Sequence, residues 1–155
     1  MLEHAPSLQP VCTMKLVSRV EAECIGPVPY GFRTHGFVAS GVVTGPKLSG
    51  KVREGGGDWA IARADDVIDI DARVTIQTTD GSLIYVVYSG VIDLPAGSLA
   101  DLQAGKLATD VRPRVQLRMT SATGPYSWVN RKQFVGFGTA SLGPPTIVEY
   151  EIYHL

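Results

Sequence analysis

Asp69, Asp71 and Arg73 stand two apart in the segment VIDIDARVTIQ, where apolar and polar side chains alternate. A period of two is the mark of a strand, so these three groups share one face, with neighbours in the row about 7 Å apart. Enclosed, such a row can do proton chemistry. Desolvation raises the pKa of one aspartate and the arginine lowers that of its neighbour, so the two carboxyls divide into an acid and a base. On an outward face the same row is a solvated ion pair worth about 0–1 kcal/mol. The alternation alone leaves both readings open, because antiparallel strands usually turn their polar side to water.

Upstream, the run GGGDW brings Asp58 and Trp59 directly after three glycines. Glycine lets a chain turn tightly or pass close to a neighbour, and a tryptophan can wall a pocket and offer its indole N–H. No phosphate-binding loop is present: the run lacks the GxxxxGK[ST] spacing, and the residues after it read as strand. In YSWVNR, Trp128 and Asn130 share one parity and Arg131 takes the other. Tyr85 and Tyr88 fall on opposite faces of LIYVVYSG. Amide, guanidinium and phenol groups bind substrate oxygens, although tyrosines and tryptophans in strands serve packing equally well.

Other chemistries find little footing. The histidines, His4, His35 and His154, have no GxSxG elbow beside them and no metal spacing, so neither a catalytic triad nor a metal site is expected. Cys12 and Cys24 form no CxxC pair; the sequence leaves a disulfide between them open, free buried thiols being the commoner case in a reducing compartment. A formal charge of -1 and a pI near 6.3 give no basic footprint for nucleic acid or anionic lipid. The start, MLEHAPSLQP, lacks the basic and apolar regions of a signal peptide, and no apolar run reaches membrane-spanning length, so the expected location is the cytoplasm.

These groups need elements to place them. Residues 67–92 read as a hairpin turning at Asp80-Gly81, the strongest short-range hairpin signal. Further strands are expected in MKLVSRVEAE, FVASGVVTG, KLSGKVRE, RVQLRMTS, WVNRKQFVGFGTA and TIVEYEIYHL. Only AGSLADLQAGK, residues 96–106, has helical character. The pattern predicts an all-β single domain over residues 14–155 after a flexible segment 1–13: an antiparallel β-barrel of about eight to ten strands with at most one short helix, or else a two-sheet sandwich. Apolar and aromatic residues on both parities of TIVEYEIYHL suggest an uncovered edge, hence a homo-oligomer, most simply a dimer.

GGDW at Gly56–Trp59, DAR at Asp71–Arg73, the DG-x-L-IY hairpin at Asp80–Tyr85 and W-x-NR at Trp128–Arg131 together resemble the domain-of-unknown-function family 3237, small proteins of bacteria and fungi. The resemblance covers about residues 14–155 and implies an antiparallel barrel with an inward polar face. Some fungal members are implicated in cofactor-free ring closure by addition of a hydroxyl to an alkene. Two departures stand out: Arg63-Ala64-Asp65-Asp66 where the pattern has Arg-x-Asp-Gly, and Ala72-Arg73-Val74-Thr75 where it has Ala-Arg-Tyr-Thr. The first alters a tight turn.

On that resemblance the expected function is a cofactor-independent cyclase or isomerase of secondary metabolism, taking a mostly apolar, oxygen-bearing small molecule and needing no metal. A non-enzymatic small-molecule-binding barrel is the alternative. Asp71, Arg73 and Asp58 are the expected catalytic groups. Trp59, Asp69, Tyr85, Tyr88, Trp128, Asn130 and Arg131 are the expected substrate contacts. The row of Asp69, Asp71 and Arg73 is then expected to face an enclosed cavity.

Overall fold

A computed structural model describes residues 4–155. In chain order the strands are β1 (Gln9–Ser18), β2 (Glu23–Val28), β3 (Gly31–Thr44), β4 (Gly50–Val52), β5 (Gly57–Ala62), β6 (Val67–Thr78), β7 (Leu83–Asp93), β8 (Arg114–Ser121), β9 (Phe134–Ser141) and β10 (Ile147–His154). One short helix, α1 (Ser98–Gln103), lies between β7 and β8. No helix among the described residues is long and apolar enough to cross a membrane.

The barrel is all antiparallel. Eight strands form the ring β1-β10-β9-β8-β7-β6-β4-β3, which closes where β3 pairs with β1. β2 and β5 stand outside this ring, at one end. There β3 outruns its pairing with β1 and β4, and its first half takes β2 on one side and β5 on the other. β5 also pairs with β6, so the wall stays continuous.

Alternation explains the core. One parity of each ring strand turns inward, and Met14, Leu16, Val43, Val74, Ile76, Ile84, Val86, Leu117, Phe134 and Ile152 are all buried. Full burial of each such side chain is worth about 1.5–3 kcal/mol. The β6–β7 hairpin forms as its sequence predicts, paired from Val67 with Asp93 to Gln77 with Leu83, and Gly81 takes φ +90° in the turn.

Three expectations are corrected. The barrel begins at Gln9 rather than residue 14, and Val11 is fully buried, because QPVCTM continues the pairing with β10. WVNRKQFVGFGTA is not one strand: Ser127–Arg131 is a 3-10 turn and β9 starts at Phe134. Buried Val129 anchors the turn, and the Asn130 amide bonds both the N–H and the carbonyl of Ser121. TIVEYEIYHL is not an edge, since β10 lies between β1 and β9, which removes the premise for the dimer.

Candidate functional site

A cavity of about 600 Å³ occupies the end of the barrel where β2 and β5 extend the ring, open to solvent on one side. Its walls are mostly apolar, with Phe32, Ile68, Ile70, Ile92 and Val148 among them. The polar groups enter along one cross-strand row: Gly36 pairs with Asp58, Asp58 with Ala72, and Ala72 with Tyr88. Small residues on both sides of Asp58 leave its carboxyl room, and a Cβ built on Gly36 would meet nothing within 4 Å.

Asp58 is held in the wall. Its Oδ1 accepts the backbone N–H of Asp71 at 2.9 Å. Burial pushes its pKa up to about 6; the Asp71 hydrogen bond opposes this, the Asp71 charge adds to it, and His35 opposes it. The carboxyl therefore titrates close to neutrality, as an acid–base group requires.

Two tyrosines stand nearby. Tyr88 and Tyr150 are 5% and 3% exposed, with ring centroids 5.7 Å apart in an edge-to-face arrangement at 70°. Gly138, opposite Tyr150 on β9, leaves space for that ring: a Cβ there would come within 2.8 Å of it. Burial raises both phenols well above their ordinary range. For Tyr88 the neighbouring Tyr150 and then Asp58 add to this, and for Tyr150 the Asp58 charge does. Neither hydroxyl bonds another described residue. No fully buried side-chain N or O among those residues lacks a partner, so both oxygens are reached from the cavity and remain neutral donors. The one basic side chain on the lining is Arg19, held by Glu54 at 2.7 Å in an exposed pair.

The charged row of β6 faces the other way. Ile70, Ala72, Val74 and Ile76 are buried, whereas Asp71 and Arg73 are 58% and 47% exposed and form a loose pair at 3.7 Å. Asp69 pairs outside with Arg63 at 3.1 Å. The expectation of an inward Asp69–Asp71–Arg73 face is thus overturned, because four aliphatic side chains gain more from burial than three charges could. Trp59 also lies outside, its ring 5.6 Å from the Arg73 guanidinium and edge-on to Phe37. Tyr85 is an exposed outer residue. Trp128 packs at the far end of the barrel with Phe134 and His154, Asn130 ties the 3-10 turn, and Arg131 is exposed.

Of the ten expected residues, the cavity gathers Asp58 and Tyr88. It adds Tyr150, which sequence reasoning missed. The available signal was its place on the apolar parity of β10, with Val148 and Ile152 against Glu149 and Glu151. Among the described residues no group of three or more His, Cys, Asp or Glu side chains is placed to hold a metal ion.

An antiparallel barrel enclosing a small, mostly apolar cavity is the class that fold and site define. The chain belongs to the family described as "Protein of unknown function (DUF3237)", which it matches over residues 6–155. It is 28% identical over 137 residues to the UPF0311 protein RPA1785 of Rhodopseudomonas palustris (strain ATCC BAA-98 / CGA009), covering 84% of this chain and 88% of the relative. The crystal structure of RPA1785 superposes with a TM-score of 0.80 at 25% identity, over 97% of this chain and 99% of that one. A β-barrel-like protein of Acinetobacter baumannii AYE gives 0.76 at 25% identity, over 98% of each. An enzyme from Penicillium herquei gives 0.66 at 21% identity, over 97% of this chain and 99% of that one, a likeness of fold.

Proposed function

We propose that the protein is a cofactor-independent cyclase that adds a substrate hydroxyl across an alkene, with Asp58 rather than Asp71 as the proton-transfer group. The observation that carries this reading is the Asp58 carboxyl, poised near pH 6 on the wall of a mostly apolar cavity beside two neutral phenols. The P. herquei enzyme is an example of catalysis on a barrel of this fold.

The chemistry balances with one carboxyl. Protonated Asp58 gives its proton to one alkene carbon, and the hydroxyl oxygen bonds to the adjacent, now cationic carbon. The resulting oxonium returns its proton to the Asp58 carboxylate. No electron is gained or lost and the product is an isomer of the substrate, so the balance calls for no cofactor. Folding the chain of the substrate inside the cavity supplies proximity. The rings of Tyr88 and Tyr150 can face the developing positive charge, and their hydroxyls can hold substrate oxygens. The one guanidinium on the lining, Arg19, is already paired with Glu54, so a route through an oxyanion lacks a free counter-charge, which favours the acid-first order.

The test is incubation with a panel of alkenyl phenols and alkenols in D₂O. The expected product has the mass of its precursor plus one deuterium fixed on carbon. Panel members that bind and return unchanged, against a buffer blank, would leave the binding-barrel reading. That second reading is favoured by the lining itself, on which Asp58 is the only carboxyl among the described residues, with no second one to share the roles of acid and base.

A further inference from the structure

Helix α1 borders the cavity through Leu99 and Leu102, yet none of its residues is buried and its N-terminus has no side-chain cap of its own. A six-residue helix is marginal by itself, because nucleation is costly and the first N–H groups need partners. Those partners come from elsewhere in the chain. Asp66, in the turn between β5 and β6, accepts the Gly97 N–H on Oδ2 at 3.0 Å and the Leu99 N–H on Oδ1 at 2.8 Å. Its carbonyl accepts the Leu94 N–H at 3.0 Å.

Asp66 does this from an unfavourable backbone. Its φ is +64°, a left-handed conformation that glycine adopts freely and other residues adopt at a cost. A turn of this shape needs only glycine. The carboxylate is what aspartate adds, and it is spent on α1. Beyond α1 the chain is tied again, where the Leu142 N–H bonds the Ala108 carbonyl at 2.7 Å. The helix is therefore held at both ends, with Leu99 and Leu102 on the cavity lining and Leu102 also packed against the core.

We propose that Asp66 is a positioning residue that latches α1 across the cavity mouth and so sets the rate at which ligands enter and leave. The latch rests on the cavity being a ligand site, but the tie between Asp66 and α1 can be measured separately.

The decisive variant is Asp66→Gly, which keeps the turn's backbone and removes only the carboxylate. Amide exchange followed by mass spectrometry across 97–105 should accelerate about tenfold, the order expected for loss of a helix cap, with β6 and β7 unchanged. Stopped-flow binding of the uncharged fluorophore N-phenyl-1-naphthylamine should show on- and off-rates raised by similar factors, with Kd nearly constant. Asp66→Asn, which retains one acceptor oxygen, should fall between. Wild-type exchange and rates in Asp66→Gly would overturn the proposal. So would a weakened Kd at an unchanged on-rate, since Asp66 would then shape the site and not its access. If the wild type takes up no probe, the cavity reading fails, and exchange alone decides the latch: acceleration at 97–105 keeps it and wild-type exchange removes it.

Discussion

The two faces of the β5–β6 wall carry similar residues to opposite ends. Inside, a single aspartate sits among apolar side chains and its pKa is driven upward by burial; outside, Asp71 and Arg73 pair loosely in water. One hydrogen bond, from the Asp71 N–H to Asp58, joins the two faces. The difference shows that solvent exclusion turns a carboxyl into a proton-transfer group here, and abundance of charge does not. If so, Asp58→Asn should lower the rate of the proposed cyclisation by about 10²-fold or more, whereas Asp71→Asn, which leaves its backbone donor intact, should change it less than about threefold. Equal losses in steady-state kinetics would erase the distinction.

Stability gives the same contrast with the opposite sign. The folded pKa of Asp58, about 6, lies above the ordinary aspartate value of about 3.9. Between these values the folded protein binds more protons than the unfolded chain. Stability therefore falls as pH rises from about 4 to about 6, and the penalty is complete above that. Two pKa units correspond to about 2–3 kcal/mol. Asp58→Asn, which keeps an oxygen for the Asp71 N–H, should be more stable than wild type by about that amount at pH 8 and little different below pH 4, by chemical denaturation. Asp71→Asn should shift stability by about 0.5 kcal/mol at most, as exposed pairs do.

Neighbouring glycines on the two strands sharpen the role of empty space. At Gly36 an added side chain meets nothing, and its φ is not in the left-handed region, so Gly36→Val should fold with stability unchanged or raised by up to about 1 kcal/mol. Facing the cavity beside Asp58, it should also abolish probe binding. At Gly57 a Cβ would come within 2.7 Å of the Gly36 carbonyl, so Gly57→Ala should cost about 1–3 kcal/mol. Thermal melts with fluorophore titrations separate the two.

Much of the barrel was legible because alternation and turn chemistry agree in it. Val67–Asp93 combined a strict period of two with Asp80-Gly81, and the pairing follows from them. Which way a face points is another matter. In β5 the cavity takes Asp58, Ala60 and Ala62, while Trp59 and Ile61 turn out, the reverse of what hydrophobicity alone predicts. Trp59 finds cover there under Arg73 and beside His35 and Phe37, all brought by long-range pairing. Sequence spacing within β5 contains none of those partners. Tyr150 escaped notice for the same reason, since only the closed barrel sets it against Tyr88.

The smallest effects should come from outer residues acting through the wall. Asp71 raises the pKa of Asp58 by its charge, and His35, whose imidazole lies 3.2 Å from Glu23, lowers it. Neither side chain is on the cavity lining, and both act on the carboxyl electrostatically from the outer face of the wall, where salt screens them. In the acid-first mechanism the protonated form is active, so activity should fall as pH rises through about 6. Asp71→Asn removes a charge that raises the Asp58 pKa and should move that fall to lower pH; His35→Gln removes the side chain that lowers it and should move the fall to higher pH. Both shifts should be smaller than the effect of burial and should shrink in high salt. pH–rate profiles of the two variants read them directly. Shifts in the same direction would mean that the outer face acts on Asp58 through geometry and not through charge.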